Sequence, residues 1–406
     1  SFSTRMSNIQ NDEPFKYDNG SSSETWFYEV YRMFPTLSVF LPNGDFAGLY
    51  LNSGNYNVVG KMALAGRNKQ EAWDQWYTGR FNIKPFKGLS IKGDYSWNRY
   101  SASRKVHRKE MTQTFPEGAA TWTVESPNYV QNKNSNDIYQ ALNVWAEYQK
   151  SFKNAHNMVL MAGYNQEQKT LASTSYKMSN LYDNELPISD LAINYLENSE
   201  TKDIWKVQGA FFRLNYDYQS KYLMEVNGRY DGSSKFLPEN RWDFFYGVSL
   251  GWRIKEESFL QKVDWLSDLK LRLSYAEVGN QSGIGNYDGV QLYNLVAAGD
   301  DGAYIGSNKL SYIKTNGTLA STTRSWERIK NYNIGVDFGF LNGTLTGSVE
   351  AFMKHNNNML VNVTFPGTLG DSAPKANAGK FEGWGYEGQL NYRNRIGDVN
   401  YHVGGT

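Results

Sequence analysis

The chain contains no cysteine, which excludes disulfide frameworks, thiolate metal sites and thiol nucleophiles together. In an oxidising compartment the same absence avoids mispairing. No excess of one charge is present either: 42 basic and 41 acidic side chains leave a net charge of +1 over 406 residues. There is no basic stripe of the kind that nucleic-acid binding needs. Long apolar runs are also missing. Met158–Gly163 is among the longest, far short of the roughly 18 residues a membrane helix requires. Proline is scarce, at 10 residues, while aromatics reach 15%, with 29 Tyr and 12 Trp; this balance favours many strands over helices or disorder.

Catalytic constellations are lacking as well. His107, His156, His355 and His402 lie far apart without HExxH spacing, and no GxSxG marks a nucleophile. Glu256 and Glu257 are adjacent in sequence, unlike a glycosidase pair set across a cleft. Gly279–Gly289, GNQSGIGNYDG, has neither the GxGxxG order nor the following helix of a phosphate cradle. Asp300-Asp301-Gly302 offers oxygen ligands for calcium in a surface loop, but the spaced ligands of an EF-hand loop are absent and an exposed turn accounts for the same residues. The sequence is therefore read as a non-enzyme that needs no cofactor.

What is present is period-two patterning. In Lys221–Asp231, KYLMEVNGRYD, an extended backbone puts Tyr222, Met224, Val226, Gly228 and Tyr230 on one face and Leu223, Glu225, Asn227, Arg229 and Asp231 on the other. The apolar face has a tyrosine at each end, as in a strand with lipid on one side, water on the other and aromatic anchors at both interfaces. A half-buried soluble strand alternates too, so repetition decides. Trp242–Ile254 sets Trp242, Phe244, Tyr246, Val248, Leu250, Trp252 and Ile254 against Asp243, Phe245, Gly247, Ser249, Gly251 and Arg253, and residues 331–340 and 384–393 repeat the scheme. A mean hydropathy of -0.63 hides such a barrel, because its apolar residues alternate with polar ones.

The same periodicity predicts about twelve strands, near 76–86, 88–100, 137–150, 155–167, 204–218, 221–231, 241–255, 268–277, 328–340, 343–355, 383–394 and 398–406. Their connections alternate. Tight links at 86–88, 151–155, 219–220, 341–342 and 394–397, with a longer one at 256–267, face long links near 101–136, 168–203, 232–240, 278–327 and 356–382. Short periplasmic turns opposite long extracellular loops are the layout of an outer-membrane barrel. Ser179, Ser233 and Ser307 then fall outside the cell, and Ser220 and Asn342 on the periplasmic side. Residues 1–75 read as one extracellular loop region with a short helix in GSSSETWFYEVYRMF. The expected fold is all-β: an antiparallel up-and-down transmembrane β-barrel, present in part and occupying 76–406.

Arg229–Phe236, RYDGSSKF, and Arg241–Glu257, RWDFFYGVSLGWRIKEE, resemble the SusC/RagA-type TonB-dependent outer-membrane transporters, in which a strand ending RYDGSS-K/R-F leads into RWGFFPSVSAGWRISEE. Asp243 stands where glycine is usual, and Tyr246-Gly247 replaces Pro-Ser. Leu269–Tyr287 is similar to the family's LKLRGSYGxTGNQxIGxY segment, and Ser325–Leu360 to the hairpin after it. The resemblance covers roughly residues 60–406. It implies the middle of a barrel of about 22 strands around a plugged lumen, with the plug and the C-terminal strands absent from this chain. It further implies import of oligosaccharides or oligopeptides, TonB acting through a missing N-terminal part, and a SusD-like lipoprotein as lid. The competing readings are a cell-surface β-rich carbohydrate-binding or adhesion protein and, more remotely, a secreted polysaccharide hydrolase.

Two sets of residues are candidates for function. Arg213, Asp217, Glu225, Arg229, Asp231, Lys270 and Arg272 are predicted to face the lumen, lining a solute path or forming a hydrated wall of mutually paired charges, the reading the pattern favours. Trp122, Tyr129, Tyr182, Tyr195, Tyr287, Tyr293, Tyr304 and Tyr312 fall on predicted extracellular loops, where flat rings with a polar tip can stack on sugars or cover a peptide. Packing of the loops on themselves is the commoner use of any one such ring.

Overall fold

The computed structural model describes all residues except 16–37, 48–56, 115–120, 125, 154, 297–302, 306–307, 316, 365, 367 and 369–371. In chain order come β1 (Phe2–Pro14), the helix α1 (Val58–Leu64), β2 (Gly66–Ile83), β3 (Leu89–Arg108), β4 (Met111–Thr114), β5 (Thr121–Val124) and β6 (Tyr129–Phe152). Then follow β7 (His156–Leu181), β8 (Ala192–Tyr218), β9 (Tyr222–Ser233), β10 (Trp242–Arg253), β11 (Leu266–Asn280), β12 (Tyr293–Val296), β13 (Ala303–Ile305) and β14 (Asn308–Leu310). The remainder are β15 (Tyr312–Thr315), β16 (Glu327–Phe340), β17 (Leu345–Val361), β18 (Ala376–Ile396) and β19 (Val399–Gly405).

Thirteen of these strands form one sheet, in the order β1-β2-β3-β6-β7-β8-β9-β10-β11-β16-β17-β18-β19. Every neighbouring pair is antiparallel, and the sheet is an open up-and-down wall with β1 and β19 at its edges. The small ladders β4–β5, β12–β15 and β13–β14 sit inside the connections between wall strands. Tight links join the wall at one end: Gln219 and Ser220 take φ of 54° and 55° between β8 and β9, and Leu341 and Asn342 take 55° each between β16 and β17. Paired positive φ values give a turn the twist of its flanking strands. The longest connections leave the opposite end, as the spacing predicts, with the 254–265 link between β10 and β11 as the longer one at the tight-turn end.

Two expectations are corrected, and a third falls outside the described residues. Residues 2–14 are not loop but β1, in unbroken register with β2 from Phe2↔Gly79 to Pro14↔Arg67. The segment FSTRMSNIQNDEP lacks an apolar stripe; backbone pairing to β2 holds it. The wall strands are also longer than the apolar pattern indicates, since β6, β7 and β8 run 24, 26 and 27 residues, well past the 9–11 that cross a bilayer. Their outer stretches are polar on both faces, so period-two hydropathy read them as loops at 101–136 and 168–203. Finally, the helix expected in residues 20–34 lies outside the described residues, while α1 is capped by Asn57, whose Oδ1 accepts from Gly60 N at 3.1 Å. Its C-terminal link to β2 turns at Gly66, where φ is +104° and an added Cβ would lie 2.1 Å from the His107 carbonyl oxygen, so only glycine fits.

The sheet has no second layer behind it among the described residues. Its two buried hydrophobic clusters, Phe15/Ala65/Val106/Met111/Tyr129 and Phe236/Phe245/Ile284/Trp326, both sit at the long-loop end. Meanwhile Leu273, Ile334 and Val349 stand 40%, 50% and 54% exposed on one face. A sandwich would bury that face; a membrane wall offers it to lipid.

Two aromatic belts bound the band. Near the tight turns, Phe152–His156, His156–Tyr218, Tyr218–Tyr222 and Tyr222–Trp252 follow one another with centroids 4.8 to 6.5 Å apart. Near the long loops the sequence is Tyr230–Trp242, Tyr246–Tyr275 and Tyr275–Tyr332, at 5.1, 5.5 and 4.9 Å. Tyr222 and Tyr230 lie eight residues apart on β9, roughly 26 Å at strand rise before tilt, matching the apolar band of about 25 Å in such barrels.

Glu257, in the link between β10 and β11, ties the lower belt down. Its carboxylate accepts from Tyr222 Oη (2.6 Å), Trp252 Nε1 (3.1 Å) and Lys221 Nζ (3.3 Å). The Tyr222 hydrogen bond, then that of Trp252, hold its carboxyl pKa below the usual 4.5. A depressed carboxyl pKa contributes stability above the unfolded value and loses it as pH falls through the folded one. Glu257→Gln is therefore expected to lower the unfolding midpoint of the complete protein at neutral pH, with the gap to wild type closing below about pH 4.5. Thermal melts at a series of pH values check this; a gap that persists unchanged into acid would contradict it.

Candidate functional site: the water-facing wall

Alternation puts Arg213 and Asp217 of β8, Glu225, Arg229 and Asp231 of β9, and Lys270 and Arg272 of β11 on the face opposite the aromatic belts. The register aligns them: Asp217 pairs Leu223, Arg229 pairs Phe211 and Asp231 pairs Gly209. The seven residues divide into two groups with different surroundings.

The first group is internally neutralised. Arg229 donates to Asp231 through Nε at 3.0 Å and Nη2 at 2.8 Å, and to Asn165 Oδ1 at 2.9 Å. Arg272 grips Asp337 with Nε and Nη2, both at 2.9 Å, and reaches Glu350 Oε2 with Nη1 at 3.1 Å. These side chains are roughly a third exposed, so each pair contributes about 0–1 kcal/mol after solvent screening. Their effect is geometric: a bidentate arginine fixes its carboxylate in one place.

The second group lines a hollow. Asp217, Glu225, Lys270 and Arg272, with Asn157, Asn215 and Ser249 and the apolar Val159, Leu223 and Leu250, line an open hollow of about 420 Å³. Asp217 accepts from Asn157 Nδ2 (3.3 Å) and from the Ser220 backbone N–H (2.9 Å); Glu225 accepts from Asn227 Nδ2 at 3.4 Å. Among the described residues neither Glu225 nor Lys270 forms an ion pair, and the buried Asn215 Oδ1 has no hydrogen-bond partner. A cavity with two carboxylates and one cation that form no ion pairs among the described residues, and an unmet acceptor, is suited to a polar occupant with donors of its own. Arg213 stands apart, exposed, with Nη2 4.0 Å from Met161 Sδ.

The ring candidates scatter. Tyr129 is in β6, not in a loop, and is buried: Phe15 meets it edge-on at 5.8 Å and Lys177 Nζ lies 4.0 Å from its centroid. It is a core residue of the loop base. Tyr195 belongs to β8, where it is exposed. Tyr182 and Tyr293 are largely exposed and Tyr312 is half-buried. Tyr287 accepts the Ile204 N–H through its hydroxyl at 3.1 Å, tying its loop to β8 while its ring remains half exposed. Trp122 lies in β5 and Tyr304 in β13, with side chains outside the described set, as is the calcium candidate Asp300-Asp301-Gly302.

Sequence reasoning missed the residues that organise the loop base. Trp326 donates Nε1 to the Arg241 carbonyl at 3.0 Å and its ring meets Phe236 and Phe245 at 5.0 and 5.6 Å. Arg324, nearly buried, pairs with Asp288 and donates to the Lys375 carbonyl at 3.3 Å. Together they join the connections that follow β9, β11 and β17. The signal available in sequence was the unusual placement of Phe236 and Trp326, large aromatics just outside strand ends.

Comparison with known proteins places this arrangement. The family model described as TonB dependent receptor-like, beta-barrel matches residues 10–406. TonB-dependent receptor SusC of Bacteroides thetaiotaomicron is 37% identical over 194 residues, 45% of this chain and 18% of that protein. A TonB-dependent receptor of Formosa agariphila is 26% identical over 364 residues, 87% of this chain and 33% of the relative. The solved RagAB peptide importer in its closed-closed state superposes with a TM-score of 0.76 at 20% identity, over 99% of this chain and 43% of that one; this likeness is one of fold. The chain thus spans about a third or less of the length of these curated relatives. With nearly its whole length matched, the chain belongs to the TonB-dependent receptor-like β-barrel family.

Proposed function

We propose that the complete protein imports oligosaccharides or oligopeptides across the outer membrane with energy from TonB, and that this chain supplies the middle of its wall. A receptor barrel of this family lies in the outer membrane, with its polar face turned to the lumen. In this reading a SusD-like lipoprotein covers the long-loop end, TonB acts through a part of the protein outside this chain, and the cargo passes without chemical change. The observation that carries the proposal is the lumen cavity, where Glu225 and Lys270 stand without ion-pair partners among the described residues beside the unmet Asn215 Oδ1. The peptide importer named for the RagAB structures supports a polar, oligomeric cargo.

Growth of a strain deleted for the complete gene tests this. Growth on oligosaccharides or on oligopeptides as sole source is expected to fail while growth on the corresponding monomers continues, and a plasmid copy is expected to restore it. A copy carrying Glu225→Gln with Lys270→Met is expected to restore growth incompletely, with a raised KM for uptake. Unimpaired growth on both oligomer classes, with loss of cell adhesion instead, would favour the adhesion reading and contradict this one.

A further inference from the structure

On the outward face, one step beyond the upper aromatic belt, lies a second cavity of about 180 Å³ lined by Gln166, Lys206, Gln208, Gly232, Arg241 and Trp242 among others. The register fixes its level. Gln208 pairs both Gln166 and Gly232, and Gly232 pairs Trp242, so the four residues form one row across β7, β8, β9 and β10. The next row toward the periplasm holds Tyr164, Ala210, Tyr230 and Phe244, part of the belt itself. A row immediately outside an aromatic belt lies at the depth of lipid headgroups.

The shape of the cavity is set by a missing side chain. Trp242 lies flat over Gly232, whose notional Cβ would be 2.7 Å from the indole ring, and it stacks on Tyr230 with planes 15° apart. Tyr164 Oη lies 3.1 Å from Gln166 Oε1 and 2.9 Å from Gln208 Oε1; its single proton holds one amide by the oxygen at a time, and neither NH₂ group has a hydrogen-bond partner among the described residues. Lys206 and Arg241 supply two cations that form no ion pair among the described residues; Arg241 is held only through Nε, to the Phe236 carbonyl at 3.4 Å. Among other wall cations Arg229, Arg272 and Arg328 are matched by carboxylates, while Arg213 and Lys270, on the opposite face, are not. Two unmatched cations beside two free amide donors make a receptor for a compact, multiply charged oxyanion.

We infer that this cavity binds a phosphate group, and that its source is the headgroup of an outer-leaflet lipid. Cargo in the lumen is separated from it by the wall, whereas a lipid whose acyl chains cover the apolar band below brings its phosphate to this depth. Lys206 and Arg241 contribute the charge, Gln166 and Gln208 the remaining donors, and Trp242 the floor.

Native mass spectrometry of the complete transporter, released from nanodiscs, tests the assignment with three probes: bis-phosphorylated lipid A, enzymatically dephosphorylated lipid A, and inorganic phosphate alone. Retention of the phosphorylated lipid is expected to exceed that of the dephosphorylated form by about tenfold or more, the scale of two charge-assisted hydrogen bonds. Lys206→Gln with Arg241→Gln is expected to abolish the difference, and Lys206→Arg with Arg241→Lys to keep most of it, which separates lost charge from lost fold. Equal retention of the two lipids, or unchanged preference in the double glutamine variant, would overturn the site. Inorganic phosphate binding as tightly as the phosphorylated lipid would overturn the lipid as its source.

Discussion

Leu273→Arg is expected to destabilise the complete protein in lipid by about 2–4 kcal/mol, the penalty of an arginine near the midplane of a barrel's outer face. Leu273 lies on the apolar face between Leu250 and Ile334 in register, with Tyr275 of the upper belt two residues along the strand. Arg272, one residue away, is on the opposite, polar face and pairs with Asp337 and Glu350. Arg272→Leu removes partly exposed pairs and is expected to cost about 1 kcal/mol or less. Urea unfolding of the two variants in phospholipid vesicles measures the difference. Equal costs for the two variants would contradict a lipid-facing Leu273 beside a solvated Arg272.

Trp326→Ala is expected to have an equally large but local effect. The side chain is only 5% exposed and contacts Phe236 and Phe245 while its indole N–H is bonded to the Arg241 carbonyl. Truncating a buried aromatic of this size costs about 3–5 kcal/mol, and the cluster it anchors lies at the loop base rather than in the wall. The barrel is therefore expected to remain resistant to denaturant while the connections after β9 and β11 become open to protease. Limited proteolysis of intact cells reads this directly. Cleavage identical to wild type would show that the loops are held by something other than this cluster.

The membrane-crossing part of the fold was legible because lipid imposes a strict rule on alternate residues. Trp242, Phe244, Tyr246, Leu250 and Trp252 announce β10 by themselves. Above the membrane the rule lapses, which is why Thr170–Leu181 and Ala192–Asp203 read as loop although they pair residue by residue over much of that length. β1 was hidden for the same reason, being held by backbone pairing. Among site residues, the shared polar face of Glu225, Arg229 and Arg272 followed from parity, whereas the pairing that separates Arg229 and Arg272 from Lys270 depends on neighbouring strands distant in sequence. Tyr129 was misplaced because its partner Phe15 lies 114 positions earlier. Burial likewise alters the choice of probes: Ser179 and Ser233 lie at the predicted end of the wall but are each 1% exposed, and Ser307 lies outside the described residues.

The central claim, that the wall crosses the membrane with its longest connections on the outside, is tested most directly by single cysteines in an otherwise cysteine-free chain. Tyr182 and Glu239 are exposed in long connections, and Lys87 and Lys262 are exposed in the links at the other end. With a membrane-impermeant maleimide on intact cells producing the complete protein, Tyr182→Cys and Glu239→Cys are expected to label, and Lys87→Cys and Lys262→Cys to label only after the outer membrane is permeabilised. Labelling of Lys87→Cys on intact cells, with periplasmic marker proteins unlabelled, would contradict the account, since antiparallel neighbours that each cross once cannot present both ends to the same side.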